Sequence, residues 1–266
     1  MHILNKIVAS KQREVMKIKE SVPVSQLEKS SHFTTPVRSL RKSILDRAKY
    51  GIIAEFKRQS PSRGIINSLA CPAEVCKEYI EAGASAVSVL TNTEFFGGRN
   101  SDLVSVRESC GGPVLRKDFI IDEYQVVESK SIGADAILLI VDILSKNELR
   151  KLSSLGSSLG LEMLFEIHDK EGIDKLPPDA ILVGINSRNL HSFSINMELP
   201  LNIIKKLPEE SIKIAESGIH SVQDLLDFRD AGFDGFLIGE MFMKNAGPGA
   251  SCKRFIQKIN ALRKQV

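Results

Sequence analysis

Short, nearly unbroken apolar runs recur along this chain at intervals of roughly 20 to 35 residues, with amphipathic segments between them. Eight runs stand out: IIAEF (52–56), SAVSVL (85–90), PVLRK (113–117), AILLIV (136–141), EMLFEI (162–167), ILVGIN (181–186), IKIAE (212–216) and GFLIG (235–239). Runs that are continuous rather than alternating predict parallel strands covered on both faces. Each gap leaves room for a helix, and segments 75–84, 123–134, 146–160 and 221–232 carry the helical period. Three of these end in a glycine suited to a left-handed C-cap. Before the first run, residues 3–20 space Leu4, Ile7, Val8, Val15 and Ile18 along one amphipathic helix, and a second helix is predicted at about 36–48.

Eight successive βα units predict a closed (β/α)8 TIM barrel rather than an open doubly wound sheet. The first strand runs into FKRQSPSRG, which lacks the G-x-G-x-x-G turn that an open dinucleotide-binding sheet would place there. The 266 residues suit one domain, with a helical extension at 1–48 and the barrel at 49–266. Two roles are open to the extension: plugging the barrel floor or flank, or covering a substrate.

Composition adds little to this picture but excludes several classes. With 42% hydrophobic and 26% charged residues the chain can bury a full core. A net charge of +3, with Lys and Arg dispersed, argues against a nucleic-acid partner and mildly favours an anionic ligand. Cys71, Cys76, Cys110 and Cys252 form no CxxC pair or zinc spacing, so they are read as plain thiols. The apolar stretch AILLIV is too short to cross a bilayer, and the N-terminal segment lacks the apolar core of a signal peptide, so a cytoplasmic location is expected.

In such a barrel the chemistry sits at the C-terminal ends of the strands. Strand one ends Glu55-Phe56-Lys57, and alternation points Glu55 and Lys57 into the mouth with Phe56 outward. Strand three ends Arg116-Lys117-Asp118-Phe119, with Lys117 inward; among other cations it would have a lowered pKa and donate a proton near neutral pH. Strand five ends Glu166-Ile167-His168, placing Glu166 inward and His168 one pleat beyond, where it reads as a loop or structural histidine. Strand six closes with Asn186-Ser187-Arg188-Asn189, strand seven with Glu216-Ser217-Gly218 and strand eight with Gly239-Glu240. Those last glycines lie where a barrel usually holds a phosphate on backbone N–H groups.

The segment IIAEFKRQSPSRG (52–64) resembles the signature of indole-3-glycerol phosphate synthases, a strand ending Glu-x-Lys that runs into a Ser-Pro-Ser loop. VLTNTEFFGG (89–98), VLRKDFIID (114–122), LFEIHD (164–169), VGINSRNL (183–190), IAESGI (214–219) and GFLIGE (235–240) follow in that family's order, so the resemblance spans about residues 3–260. The chain stops soon after the last predicted helix, so no fused isomerase domain is expected.

The resemblance further implies decarboxylating closure of an indole ring, from a carboxyphenylamino-deoxyribulose phosphate to indole-3-glycerol phosphate, carbon dioxide and water. No metal or organic cofactor is implied. Lys117 would be the general acid at the ribulose carbonyl, and Glu166 would stabilise cationic intermediates or act as base. Lys57 would meet the substrate's carboxylate or phosphate end and is a second candidate acid. Glu55, Asn186, Glu216 and Ser217 would complete the polar ring. Phe96 and Phe119 would wall the aromatic ring, with Ser60, Arg188, Gly218, Gly239 and Glu240 as further substrate contacts. A monomer is expected, with other tryptophan-pathway enzymes as candidate partners. Two departures stand out: Asn189 where an aspartate is usual, and Met241 where a small hydroxyl residue is common.

The rival enzymatic reading, a phosphoribosylanthranilate isomerase, would want a Cys–Asp pair at strand ends. The four cysteines all fall in predicted helices or loops. A non-catalytic phosphate binder would lack the charged strand ends that are present here.

Overall fold

A computed structural model describes residues 3–189 and 194–263. Eight parallel strands close a barrel: β1 (Ile52–Phe56), β2 (Ala86–Leu90), β3 (Val114–Lys117), β4 (Ala136–Ile140), β5 (Glu162–Ile167), β6 (Leu182–Asn186), β7 (Ile212–Glu216) and β8 (Gly235–Ile238). Each strand pairs with its chain neighbours, and β8 closes on β1 in the register Ile52↔Phe236. The longer helices are α1 (Ile3–Ser21), α2 (Leu40–Ile44), α3 (Pro72–Glu81), α4 (Asn100–Ser109), α5 (Glu123–Ser131), α6 (Lys146–Ser158), α7 (Glu198–Ile203), α8 (Val222–Asp230) and α9 (Pro248–Arg263), with single helical turns at Val24–Leu27, Thr93–Phe96 and Glu240–Met243. The barrel and the N-terminal helices are therefore where the apolar pattern predicts them. One connection is different. Between β5 and β6, where a helix was expected, the described chain forms only a 3-10 turn at Glu171–Lys175, followed by Pro177 and Pro178. Two consecutive prolines there remove backbone donors and bar helix continuation.

Local chemistry sets the helix ends. Ser145 and Glu148 form a reciprocal capping box that starts α6, and Ser221 with Asp224 does the same for α8. At the other end, Gly133 after α5 and Gly232 after α8 sit at φ 88° and 102°, which a side chain would make strained.

Strand alternation divides the core in two. Ile52, Ala54, Phe56, Val87, Val89, Val114, Ile137, Leu139, Phe165, Val183, Ile185 and Phe236 face the helices. Ile53, Ala86, Leu115, Leu138, Ile140, Leu164, Leu182, Ile212, Ile214 and Leu237 fill the barrel interior. Both faces are apolar, which is why the strands read as continuous runs.

The N-terminal extension does two jobs at opposite ends of the barrel. Helix α2 lies under the floor: Ser43 hydrogen-bonds the Ser85 carbonyl just before β2, Ser39 reaches Glu162 at the start of β5 at 2.6 Å, and Leu40 and Ile44 cap the interior cluster. Helix α1 runs past the mouth. Leu4, Ile7 and Val15 are buried, each contributing about 1.5–3 kcal/mol relative to exposure. Lys11, 1% exposed, is 3.0 Å from Asp118, and Lys19 is 2.7 Å from Asp122. Asp118 also accepts from Thr91 at 2.6 Å and lies 3.5 Å from Arg116, whose guanidinium is held by Glu128, Ser129 and Asn100. So the outward residues of the β3 end pin α1 while the inward residue, Lys117, is left to the mouth. Among the described residues, no helix is long and apolar enough to cross a membrane.

Candidate active site

Parallel strands in a barrel all end on the same rim, so residues remote in sequence converge there. One cleft of roughly 1040 Å³, counting its open mouth, lies on that rim. Glu55, Lys57, Ser60, Phe96, Lys117, Phe119, Glu166, Asn186, Arg188, Glu216, Ser217, Gly218, Gly239 and Glu240 all line it. All fourteen residues named as candidate catalytic or substrate-contacting groups are thus brought to one cleft.

Alternation explains the geometry. Glu55 and Lys57 both project inward from the end of β1, with Lys57 Nζ 2.6 Å from Glu55 Oε1. Lys117 reaches across from β3 to two carboxylates, 2.6 Å from Glu166 Oε2 on β5 and 3.0 Å from Glu216 Oε2 on β7. Both carboxyl groups are nearly inaccessible, at 2% and 1% side-chain exposure. Burial by itself would lower the Lys117 pKa, but Glu166, Glu216 and Glu55 override it and raise it. The expectation of a lysine acidified by neighbouring cations is therefore corrected: the barrel closes carboxylates around Lys117, whereas its cationic sequence neighbour Arg116 points away to Glu128.

The two carboxyls diverge. Burial disfavours charge on Glu166, yet Lys117 and His168 hold it well below the usual range. Burial pushes Glu216 up to about 8, against the pull of Lys117 and with the push of the Glu166 charge. One carboxylate and one carboxylic acid side by side at neutral pH are the pairing expected for acid–base work.

His168 lies just past the strand end, as expected of a loop or structural histidine, and its side chain is 9% exposed with Nε2 3.2 Å from Glu166 Oε1. Nδ1 hydrogen-bonds Asp142, on the 3-10 turn Val141–Ile143 after β4.

The apolar wall comes from Phe96 and Phe119, whose rings lie 6.2 Å apart, backed by Leu4 and Ile7 of α1. Phe119 follows the strand and folds over the mouth. Ser60 sits on a two-stranded hairpin (Gln59–Ser60 with Gly64–Ile65) that follows β1. The hairpin is strapped across the rim: Arg63 lies 3.0 Å from Glu240, whose other oxygen is 3.7 Å from Arg188. Behind β7, Ser217 adopts φ 65° and Gly218 φ 81°. A left-handed non-glycine residue is strained, and such strain concentrates at functional sites.

Two participants were not picked out from the sequence. Asp142 lies past the predicted end of its strand. Gly184 is the inward residue of β6 between Glu166 and Glu216, and a Cβ there would stand 2.1 Å from Glu216 Oε1. A lone glycine inside an apolar strand signals such a close approach and was the available clue.

The isomerase alternative fails on position. Cys76 and Cys252 lie in α3 and α9, while Cys71 and Cys110 flank α3 and α4, so none stands at the catalytic rim.

The family model for indole-3-glycerol phosphate synthase matches residues 4–255, nearly the whole chain. The chain belongs to the indole-3-glycerol phosphate synthase family. A synthase of that name from Bacteroides thetaiotaomicron is 40% identical over 257 residues, covering 97% of this chain and 98% of the relative. One from Polaromonas naphthalenivorans is 39% identical over 254 residues, covering 94% and 96%. Among solved structures, 3-hexulose-6-phosphate synthase from Salmonella typhimurium superposes with a TM-score of 0.62 at 12% identity, over 79% of this chain and 99% of that one. A chain of the tryptophan synthase complex from Pyrococcus furiosus gives 0.55 at 11% identity, over 80% and 98%. These two likenesses speak for the barrel fold.

Within this indole-3-glycerol phosphate synthase family member, the two departures from the family pattern are differently placed. Met241 lines the cleft and Asn189 is exposed, while Leu190, the last residue of the strand-six motif, lies outside the described residues.

Proposed function

We propose that this chain is an indole-3-glycerol phosphate synthase, a carboxy-lyase of tryptophan biosynthesis, and that the rim residues above do its chemistry. The observation that carries the reading is the Lys117–Glu166–Glu216 cluster facing the Lys57–Glu55 pair under a phenylalanine wall. The substrate is 1-(2-carboxyphenylamino)-1-deoxyribulose 5-phosphate, and the products are indole-3-glycerol phosphate, carbon dioxide and water.

The ring carbon bearing the carboxylate attacks the ketose carbonyl, and the carbonyl pair moves to oxygen. That developing alkoxide needs a cation already in place; Lys117 supplies it and gives up a proton. A raised pKa does not prevent this, because an alkoxide is a stronger base than an amine. Carbon dioxide then leaves, its bonding pair restoring the aromatic ring. The final step removes a proton from the methylene carbon and the hydroxyl as water, which calls for a base and an acid together. Glu166 is the ionised carboxylate available as base and as partner to cationic intermediates. Glu216, protonated near neutrality, and Lys57 are the acids in reach of the same space.

Phe96 and Phe119 together wall the anthranilate ring. At the opposite side, Arg188 and the backbone of Gly218 and Gly239 receive the phosphate, while Ser60, Asn186, Glu55 and Ser217 orient the sugar. Glu240 acts there through its backbone, because its carboxylate is engaged by Arg63 and Arg188. A monomer acting on a small sugar-phosphate is part of the same proposal, which sizing of the purified protein tests. Its cysteine thiols, all free, suit the reducing cytoplasm. Docking to other tryptophan-pathway enzymes is a separate proposal, which co-purification tests.

The test is direct. Purified protein given the carboxyphenylamino substrate without added metal is expected to develop indole fluorescence, and its absence from folded protein overturns the assignment.

A further inference from the structure

His168 stands between two carboxylates. Toward the barrel axis Nε2 is 3.2 Å from Glu166 Oε1, in ion-pair range though off the line of an ideal hydrogen bond, and toward the outside Nδ1 meets Asp142. Beyond Glu166 lie Lys117 of β3, on Oε2, and Glu216 of β7 on the same ammonium. A neutral imidazole has one N–H and one lone pair, so between two carboxylates it would turn the lone pair on one of them. Only the imidazolium serves both. Burial opposes that charge, but the bonds to Asp142 and Glu166 prevail and push the ring up to about 10.

The consequence concerns the neighbouring acid. Glu166 and Glu216 share one ammonium, so one of the two buried carboxyls carries a proton. Nothing in the Lys117 contacts separates them decisively, since Nζ is bonded to both. His168 touches only Glu166.

We propose that His168, anchored by Asp142, is a positioning residue that makes Glu166 the free carboxylate of the pair and leaves the shared proton on Glu216. It also fixes the Glu166 rotamer, taking Oε1 so that Oε2 faces Lys117 and the substrate. The inference rests on the ring-closing reading for its kinetic meaning, but not for its geometry.

The test is the pH profile of kcat and of kcat/KM for wild type, His168→Ala, His168→Gln and Asp142→Asn, with melting curves for each. Loss of a charge-assisted contact to the base predicts kcat about 10- to 100-fold lower in His168→Ala, with KM nearly unchanged. Loss of the adjacent cation predicts that the acidic limb of the profile moves up by about 1–3 units. His168→Gln keeps an N–H for Glu166 but no charge; it should recover part of kcat and leave the limb shifted. Asp142→Asn, which loosens the ring's anchor, should shift the limb in the same direction by less. A well-folded His168→Ala with wild-type kcat and limb, or with only a KM effect, overturns the proposal. Should that variant fail to fold, an unmoved limb in both His168→Gln and Asp142→Asn overturns it equally. Nitrogen NMR of the His168 ring in the substrate-free protein keeps the two readings apart. Both nitrogens protonated at neutral pH is the expected result and one unprotonated nitrogen refutes the inference, even if wild type forms no indole and the ring-closing reading falls.

Discussion

Replacing Gly184 by alanine adds one methyl group at the most crowded point of the proposed site. The backbone of Gly184 is ordinary β, so alanine meets no conformational objection there. Its Cβ would stand 2.1 Å from Glu216 Oε1 and 3.2 Å from Cδ, with Leu164 Cδ1 at 3.4 Å closing the other side. Reaching an ordinary contact of 3.4 Å, like the one already made to Leu164, requires Oε1 to retreat by about 1.3 Å. Glu216 Oε2 is 3.0 Å from Lys117, so a retreat of that size takes the carboxyl out of hydrogen-bond range of the ammonium. A displacement of about 1 Å in a catalytic constellation lowers the rate by about 10²-fold. Overpacking a dense interior adds about 1–3 kcal/mol of destabilisation, or some 2–4 °C per kcal/mol for a chain of this class. Gly156→Ala is the control, because its Cβ meets Met163 Sδ at 2.7 Å on the helix side of β5, away from the rim. Indole fluorescence gives kcat and KM, and calorimetry gives Tm. The expected result is a kcat loss for Gly184→Ala that the control does not share. Equal kcat in the two variants, with similar melting temperatures, would refute the claim that Gly184 exists to seat Glu216.

Lys117→Ala should lower kcat by about 10²–10⁴-fold and change KM little, as for an acid acting mainly in the transition state; an unchanged kcat removes Lys117 from that role. Stability should fall as pH rises from 4.5 to about 8, because the folded chain keeps a proton on Glu216 that the unfolded chain has released. His168 adds a stabilisation that is fully present below 6.5 and lost as pH rises through about 10. Glu216→Gln should flatten the first of these declines in a Tm-versus-pH series, and an identical slope in wild type and variant contradicts it. Lys11→Met strips one partner from the buried Asp118, which keeps Arg116 and Thr91. The loss should sit near the lower end of the 3–5 kcal/mol seen for broken buried pairs, with a rise in KM as α1 loosens from Phe96 and Phe119. Calorimetry and steady-state kinetics read both, and a stable variant with wild-type KM would show that α1 does not shape the substrate site.

The barrel was legible because its rule is local. A continuous apolar run bounded by a helical segment predicts a two-sided parallel strand, and period-two alternation then says which side chain at each strand end points inward. That reasoning put Glu55, Lys57, Lys117, Glu166, Asn186 and Glu216 on the rim with no tertiary information. The β5–β6 connection misled because an interval of helical length holds a 3-10 turn and two prolines instead.

What the chain alone could not determine was which rim residues touch, since that depends on barrel closure and on the stagger between strands. Lys117 has a cation beside it in sequence and carboxylates around it in space, and only closure brings β5 and β7 to within 3.0 Å of its ammonium. His168 looked peripheral because alternation ends with its strand. The turn after β4 supplies Asp142, and with it the geometry that draws the imidazole back onto Glu166. Sequence determined the cast of charged groups and the face each one takes. The pairing that sets which carboxyl is ionised was decided by the fold, because in a buried site proton affinity follows the nearest charges in space and not those nearest along the chain.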